Sequence, residues 1–424
     1  MSSRLLVYAK LSGHDMDDAF YSRQFYKETL LGIKHGQRAL PDEQKPWVTL
    51  QCELSNPLDT SQDTNPVHQY LACNPLRLPA TRDLSLSDLF DRSKVMPVDG
   101  GDLATVSALR AFIAASTPRE PLGDADTLVL WGHGTGKRVL SGSGRPHQLP
   151  LSLAMPGETA DFDLPRERAV PPSGLGPEDL RLALDGHRTG LLVLQSCRSA
   201  SLEFAEMLTG VARYMLVSPQ TVYAVDWRYD TWLADGAIWS RATSPKKRGE
   251  HLVSVVRALR RPDASIALLE LPWVTLVAHR LDRLMPLLRT QLAARPYFAK
   301  TLAEVAQSAH AYEDDSPDEL AVDLYDYAER LSQHPHAPDF IRELAIKLMN
   351  AVDAAVAAHC IVGGSARPAS LRGLTLALSR QDYFPLREPN RTSHYVPPSI
   401  DEWLRRTMRT GAASREERPP FVPL

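Results

Sequence analysis

Two short stretches combine an apolar run with a reactive side chain. The first is Thr127-Leu-Val-Leu-Trp-Gly-His-Gly-Thr-Gly136, and the second is Leu191-Leu-Val-Leu-Gln-Ser-Cys-Arg-Ser-Ala200. A thiol is a strong nucleophile only as its thiolate, so it needs a base or cation beside it and access to solvent. His133 and Cys197 supply base and nucleophile if their two runs lie side by side. The backbone N–H groups of Cys197 and Gly134 are then candidates to hold an oxyanion. A helix expected over 199–208 would add its positive end near the thiol. Glycines on both sides of His133 would let a substrate carbonyl approach the backbone. The reaction class is acyl transfer through a thioester, that is, hydrolysis of peptide or amide bonds. A lone cysteine is more often a core thiol, and a lone turn histidine is more often structural. Together, at the ends of two similar runs, they favour a dyad.

A continuous apolar run bounded by glycine or polar residues is the pattern of a buried parallel strand. In open α/β sheets, sites form where such strands end. His133 and Cys197 are 64 positions apart (197 minus 133), room enough for a crossover that sets their strands adjacent or one apart. The chain before them alternates in the same sense. A strand is expected over 4–9, a helix over 19–34, a strand over 47–54, a helix from Asp102 or Thr105 to Ala115, and a strand over 127–130. The fold class is therefore α/β, a mostly parallel sheet flanked by helices. Residues 137–178 are rich in proline and glycine and lack a period, as expected of a mobile, functional loop. A helix over 177–184 and a strand over 214–218 frame the Cys197 run. Residues 241–250 are basic and turn-rich and read as a linker. The expected division is a catalytic domain over 1–240 and a mainly helical region over 251–424 packed on it. Its helices are expected over 251–259, 274–292, 297–309, 320–331 and 339–358, with a late strand over 371–379.

Of the 424 residues, 43% are hydrophobic and 23% charged, and the formal net charge of -3 gives no reason to expect nucleic-acid binding. The four cysteines are scattered, without a CxxC pair, which argues against a disulfide framework or a structural zinc site. No apolar run reaches membrane-spanning length, and the apolar stretch near the N-terminus is too short for a signal peptide. These features lead us to expect a cytoplasmic protein that does not engage a membrane.

Trp131-Gly-His-Gly-Thr-Gly136 and Gln195-Ser-Cys-Arg-Ser199 resemble the histidine and cysteine motifs of the caspase-like clan of cysteine peptidases. In order along the chain, Leu202-Glu-Phe-Ala205, Leu216-Val-Ser218, Asp226-Trp-Arg-Tyr229, Asp323-Leu-Tyr-Asp-Tyr-Ala328, Gly373-Leu-Thr-Leu376 and Tyr383-Phe-Pro385 are similar to the clostripain family. That resemblance implies a caspase-like sheet carrying an endopeptidase that acts on a protein or peptide substrate. His133 would be the base and acid, and Cys197 the nucleophile. It also implies latency relieved by cleavage in the loop after the histidine. Arg168, followed by Ala169, suits such a cut better than Arg145, which precedes Pro146; an insertion that is never cut is the equal alternative. Relatives carry an aspartate two residues before the cysteine to select Arg or Lys at P1, but Gln195 stands there in this chain. Asp226, with Asp230 second, is left to supply a carboxylate, and Ser218 and Trp227 would line the cleft. The reading leans to Arg or Lys at P1, with an uncharged P1 residue left open. No cofactor is implied apart from the calcium that some members use, for which the Asp15, Asp17 and Asp18 cluster is the candidate against a plainer reading as a solvated turn. Bacterial members are often regulatory, including in defence, and the C-terminal region would dock a regulatory partner. The alternative is a degenerate relative that binds peptides or partners without turnover.

Overall fold

Every residue of Thr127–Gly132 and of Thr189–Gln195 is buried, which is why both runs are so nearly unbroken in apolar character. Their side chains alternate between two cores. Leu128, Leu130, Leu192 and Leu194 enter one, while Val129, Trp131, Leu191 and Val193 enter the other. The sheet is thus the middle of three layers. The structure is a computed structural model that describes residues 3–11, 29–54, 67–73, 102–117, 120–134, 138–140, 174–220, 227–260, 264–295, 297–312, 319–361 and 370–379.

In chain order, the first half gives β1 (Arg4–Leu11), α1 (Leu31–Arg38), β2 (Trp47–Leu54), β3 (Val67–Cys73), α2 (Val106–Ser116), β4 (Thr127–Gly132), α3 (Pro177–Ala183), β5 (Thr189–Gln195), α4 (Leu202–Met207), β6 (Ala212–Val217) and α5 (Tyr229–Ala234). The second half gives α6 (Pro245–Ala258), β7 (Ile266–Glu270), α7 (Leu271–Ala294), α8 (Phe298–Ser308), β8 (Ala311–Tyr312), β9 (Glu319–Asp323), α9 (Leu324–Gln333), α10 (Asp339–Ala355), β10 (Val356–Cys360) and β11 (Thr375–Ser379). The described residues form an eight-stranded sheet in the order β10-β7-β6-β5-β4-β1-β2-β3 and a small one in the order β11-β9-β8. The five central strands of the large sheet, β2-β1-β4-β5-β6, are parallel. The outer strands β3, β7 and β10 pair antiparallel. This is the mostly parallel, helix-flanked α/β architecture that the sequence pattern predicts.

The chain leaves β1 for β2 on one side and later adds β4, β5 and β6 on the other. The reversal puts a crevice at the carboxyl ends of β1 and β4, where open α/β sheets bind ligands. Residues from α1, α5 and α6 pack into one core, and residues from α2, α3, α4 and α7 to α10 into the other.

The C-terminal half is organised differently from expectation. Residues 245–250 are not linker but the first turns of α6, begun by Ser244, whose hydroxyl accepts from the Lys247 N–H at 3.3 Å, and by Pro245. Strands β7 and β10 extend the main sheet, and one core runs without a break from Leu6 to Leu376. The expected helix over 320–331 begins at Leu324, after β9, and the one over 339–358 stops at Ala355, before β10.

Arg248 of α6 shows how firmly the two halves are joined. It is fully buried, and its guanidinium donates to the carbonyls of Ala125 at 2.6 Å and Thr243 at 3.0 Å and to the Thr127 hydroxyl at 3.2 Å. Burial draws it down to about 10, against the pull of Asp126, so it stays charged at neutral pH. Replacing it with methionine keeps the apolar stem and leaves those buried acceptors without their donor. We expect Arg248→Met to lower the unfolding free energy by about 3 kcal/mol in urea titrations. A change within error would mean that this buried cation does not join α6 to the base of β4.

Candidate active site

The β4–β5 pairing fixes the site. Trp131 sits opposite Gln195 in parallel register. His133 and Cys197 each come two residues after this pair, just past the ends of the two neighbouring strands. One more link holds the ends together. Ser196 is buried and its hydroxyl donates to the Gly132 carbonyl at 2.9 Å. His133 and Cys197 are both half-buried, as a base and a nucleophile that must meet a substrate would be.

The glycine after the histidine also answers a packing constraint within the chain. A Cβ on Gly134 would lie 2.9 Å from the Cys197 nitrogen, 3.0 Å from the Ser196 Cβ, and closer still to the Cys197 carbonyl oxygen. It is the backbone of the cysteine turn, within the chain itself, that approaches Gly134 so closely.

Beyond Cys197 the chain turns sharply. Arg198 has a φ of 57°, a left-handed conformation that costs a non-glycine residue roughly 1–2 kcal/mol. Its N–H donates to the Gln220 carbonyl at 3.1 Å, and the Ala200 N–H to the Ser218 carbonyl at 3.2 Å. The Ser199 hydroxyl donates to the Ser196 carbonyl at 3.0 Å and accepts from the Ser218 N–H at 3.2 Å. The turn is thereby sewn to the exit of β6. The helix expected from residue 199 starts only at Leu202, and its capping Ser201 hydroxyl already accepts from the Phe204 N–H at 3.2 Å.

Among the described thiols, chemistry separates the cysteines. Cys52 in β2 is fully buried, and burial together with the neighbouring Glu53 pushes its thiol far above the ordinary range. Burial also raises Cys360 in β10, with Arg257 pulling the other way. Neither stands at the carboxyl end of the central parallel strands.

The other candidates are dispersed. Gln195 is 1% exposed, and its Oε1 accepts from the buried Tyr229 hydroxyl at 2.9 Å. Ser218 is fully buried and its hydroxyl donates to the Ser265 carbonyl at 2.7 Å. Trp227 is 1% exposed and packs in the core that holds Tyr229, Trp232 and Trp239. All three are buried, so their side chains belong to the interior of the fold. Asp230 is paired to Arg228 through bonds of 2.9 and 2.8 Å, which hold its carboxyl below the usual range. Asp226, Arg168 and the Asp15, Asp17, Asp18 cluster lie outside the described residues. Among the described residues no group of three or more His, Cys, Asp or Glu is placed to hold a metal ion.

One feature of the site has little sequence signal. Lys10, at the end of β1 and opposite Gly132, is buried between the carboxylates of Glu53, at 3.3 Å, and Asp102. The Leu103 N–H donates to the other oxygen of Glu53 at 3.1 Å, and the Tyr8 hydroxyl to the Leu103 carbonyl at 2.7 Å. This satisfied ionic cluster closes the sheet's carboxyl end next to the histidine strand. A charged residue near the end of a largely apolar strand is its trace in the sequence.

With this geometry in place, solved structures provide the comparison. An inactive zymogen C11 protease from Parabacteroides distasonis is similar over 96% of this chain and 96% of its own, with a TM-score of 0.56 and 17% identity. A secreted C11 cysteine protease from Bacteroides thetaiotaomicron, solved with an irreversible peptide inhibitor, matches over 98% and 100% with a TM-score of 0.49 and 15% identity. The fold is that of the clostripain-like C11 proteases. No protein-family model matches the chain, and no curated protein sequence does. The crossing of the two loops predicts that Gly134→Ala costs about 1–3 kcal/mol in urea unfolding, the ordinary range for overpacking. An unchanged midpoint would show that the histidine and cysteine turns are not in contact.

Proposed function

We propose that the chain is a cysteine endopeptidase working through Cys197 and His133. The observation that supports this reading is the parallel register of β4 and β5, which pairs Trp131 with Gln195, each two residues before one of the two groups. The fold shared with C11 proteases supports it. His133 takes the Cys197 proton, and the thiolate sulfur attacks the scissile carbonyl carbon. The backbone N–H groups of Cys197 and Gly134 hold the resulting oxyanion. The C–N bond then breaks as His133 returns the proton to the leaving amine. Water, deprotonated by His133, attacks the thioester; the C–S bond breaks, the acid departs and the thiol is restored.

The primary pocket on this reading prefers Arg or Lys at P1, with Asp226 supplying the charge. Gln195 is neutral and its carbonyl is engaged by Tyr229, and Asp230 is engaged by Arg228, so the preference rests on Asp226. Latency is part of the same reading, with the 137–178 segment as the latch and Arg168 as the cut site. The scattered cysteines suit a reducing compartment such as the cytoplasm, and no helix among the described residues is long and apolar enough to cross a membrane.

A fluorogenic peptide panel varied at P1, applied before and after limited proteolysis, tests these points together. We expect cleavage after Arg or Lys that falls about 1,000-fold or more in both Cys197→Ala and His133→Ala. The basic preference should vanish in Asp226→Ala while residual cleavage continues. No Cys197-dependent cleavage under any of these conditions would overturn the enzyme reading. A basic preference that survives Asp226→Ala would overturn the pocket assignment alone.

A further inference from the structure

Two C-terminal motifs, Asp323-Leu-Tyr-Asp326 and Gly373-Leu-Thr-Leu376, take no part in the chemistry above, yet they meet around one buried carboxylate. Asp323 is fully buried at the end of β9. Its Oδ1 accepts from the Tyr325 N–H at 3.0 Å and the Asp326 N–H at 3.2 Å, capping α9. Its Oδ2 accepts from the Tyr312 hydroxyl at 2.8 Å, the Arg372 N–H at 3.0 Å and the Gly373 N–H at 2.8 Å. Two successive backbone N–H groups closing on one oxygen make an anion-holding concavity. Gly373 has a φ of +79°, and a Cβ there would lie 2.6 Å from Ile361 Cδ1, so glycine is required to form it.

This carboxylate sets the direction of the strand that follows. Thr375 lies directly opposite Asp323 in the β9–β11 pairing, and the Leu324 N–H donates to the Leu374 carbonyl at 2.9 Å. The Thr375 N–H faces the other way and donates to the Ala200 carbonyl at 2.9 Å. Ala200 is three residues after Cys197, and Ser201 forms a parallel bridge with Thr375. The cysteine turn is therefore gripped from two sides, by the β6 exit through Ser218 and Gln220 and by β11 through Thr375.

We infer that Asp323 is a positioning residue for the candidate nucleophile, acting through Gly373 and Thr375 on the Cys197–Ser201 turn. The catalytic half of this inference rests on the endopeptidase reading; the mechanical half does not. It gives the second half of the chain a direct role in the site, because the turn that carries Cys197 is held in part by residues more than a hundred positions away.

Two variants and two readouts test it. Asp323→Asn replaces one acceptor oxygen with an N–H₂ group facing existing donors. Thr375→Pro removes the N–H that reaches Ala200 together with the buried Thr375 side chain, at the first residue of a strand, where proline is tolerated, and Thr375→Val, which keeps that N–H, is the control for the lost hydroxyl. Hydrogen–deuterium exchange of the peptide covering residues 197–201 is followed beside kcat and KM for peptide cleavage. We expect exchange at 197–201 to quicken about tenfold or more in both variants while α2 and β1 keep their native protection. We expect kcat to fall about tenfold or more with KM within about twofold, as when a group is misplaced rather than a substrate lost. Native exchange at 197–201 in Thr375→Pro would overturn the inference, and so would faster exchange there with an unchanged kcat. If Asp323→Asn loses protection everywhere, it is acting on the whole fold, and Thr375→Pro decides. If the unaltered chain cleaves nothing, the endopeptidase reading fails, and exchange alone decides whether the grip exists.

Discussion

The rest of the site depends on one pairing, the parallel register of β4 with β5. Hydrogen-bonded strands are held about 4.8 Å apart, and Trp131 faces Gln195 across that gap. Everything reactive then follows by counting two residues forward on each side. The pairing itself is dictated by burial. Both strands have a core on each face, so a slip of one residue would exchange the two sets of side chains and ruin the fit on both sides. The Ser196 hydroxyl on the Gly132 carbonyl and the close approach of Gly134 to Cys197 lock the last step, after the ladder has ended.

Burial also sets Cys52 apart from the candidate thiol. A cysteine inside a strand, as Cys52 is, loses its water and gains a carboxylate neighbour, and both effects hold the proton on sulfur. A cysteine just past the strand end keeps partial access to solvent and sits in a turn whose backbone is bonded away from it. The strain at Arg198 belongs to this arrangement. A left-handed residue reverses the chain at once, and the N–H bonds to Gln220 and Ser218 offset the cost.

Much of this was legible in the sequence, for identifiable reasons. Strand β2 appears over the residues predicted, and β4 and β5 were visible because buried parallel strands are written in nearly pure apolar residues. Thr105 caps α2 as its position suggests, accepting from the Ala108 N–H at 3.2 Å. The sequence misled where tertiary pairing overrides local pattern. Val356-Ala-Ala-His-Cys360 continues the helical run of α10 in composition, but it pairs with β7 and becomes strand. The basic stretch at 241–250 suggested a linker, although Ser244 and Pro245 already spelled a helix start. The roles of Gln195, Ser218 and Trp227 were hidden for another reason. Their types suit a cleft, and only the fold shows that their polar atoms and rings turn inward. Lys10 and Asp323 were invisible as hubs because their partners come from segments far along the chain.

The central claim is that the two strand ends form one reactive unit. Its most direct test is to treat the full chain with an irreversible peptidyl electrophile and map the adduct by mass spectrometry of its digest. A single adduct on Cys197, absent from Cys52 and Cys360 and suppressed when His133 is replaced by alanine, is the predicted result. An adduct on another cysteine, or one on Cys197 that forms at the same rate without His133, would contradict the account.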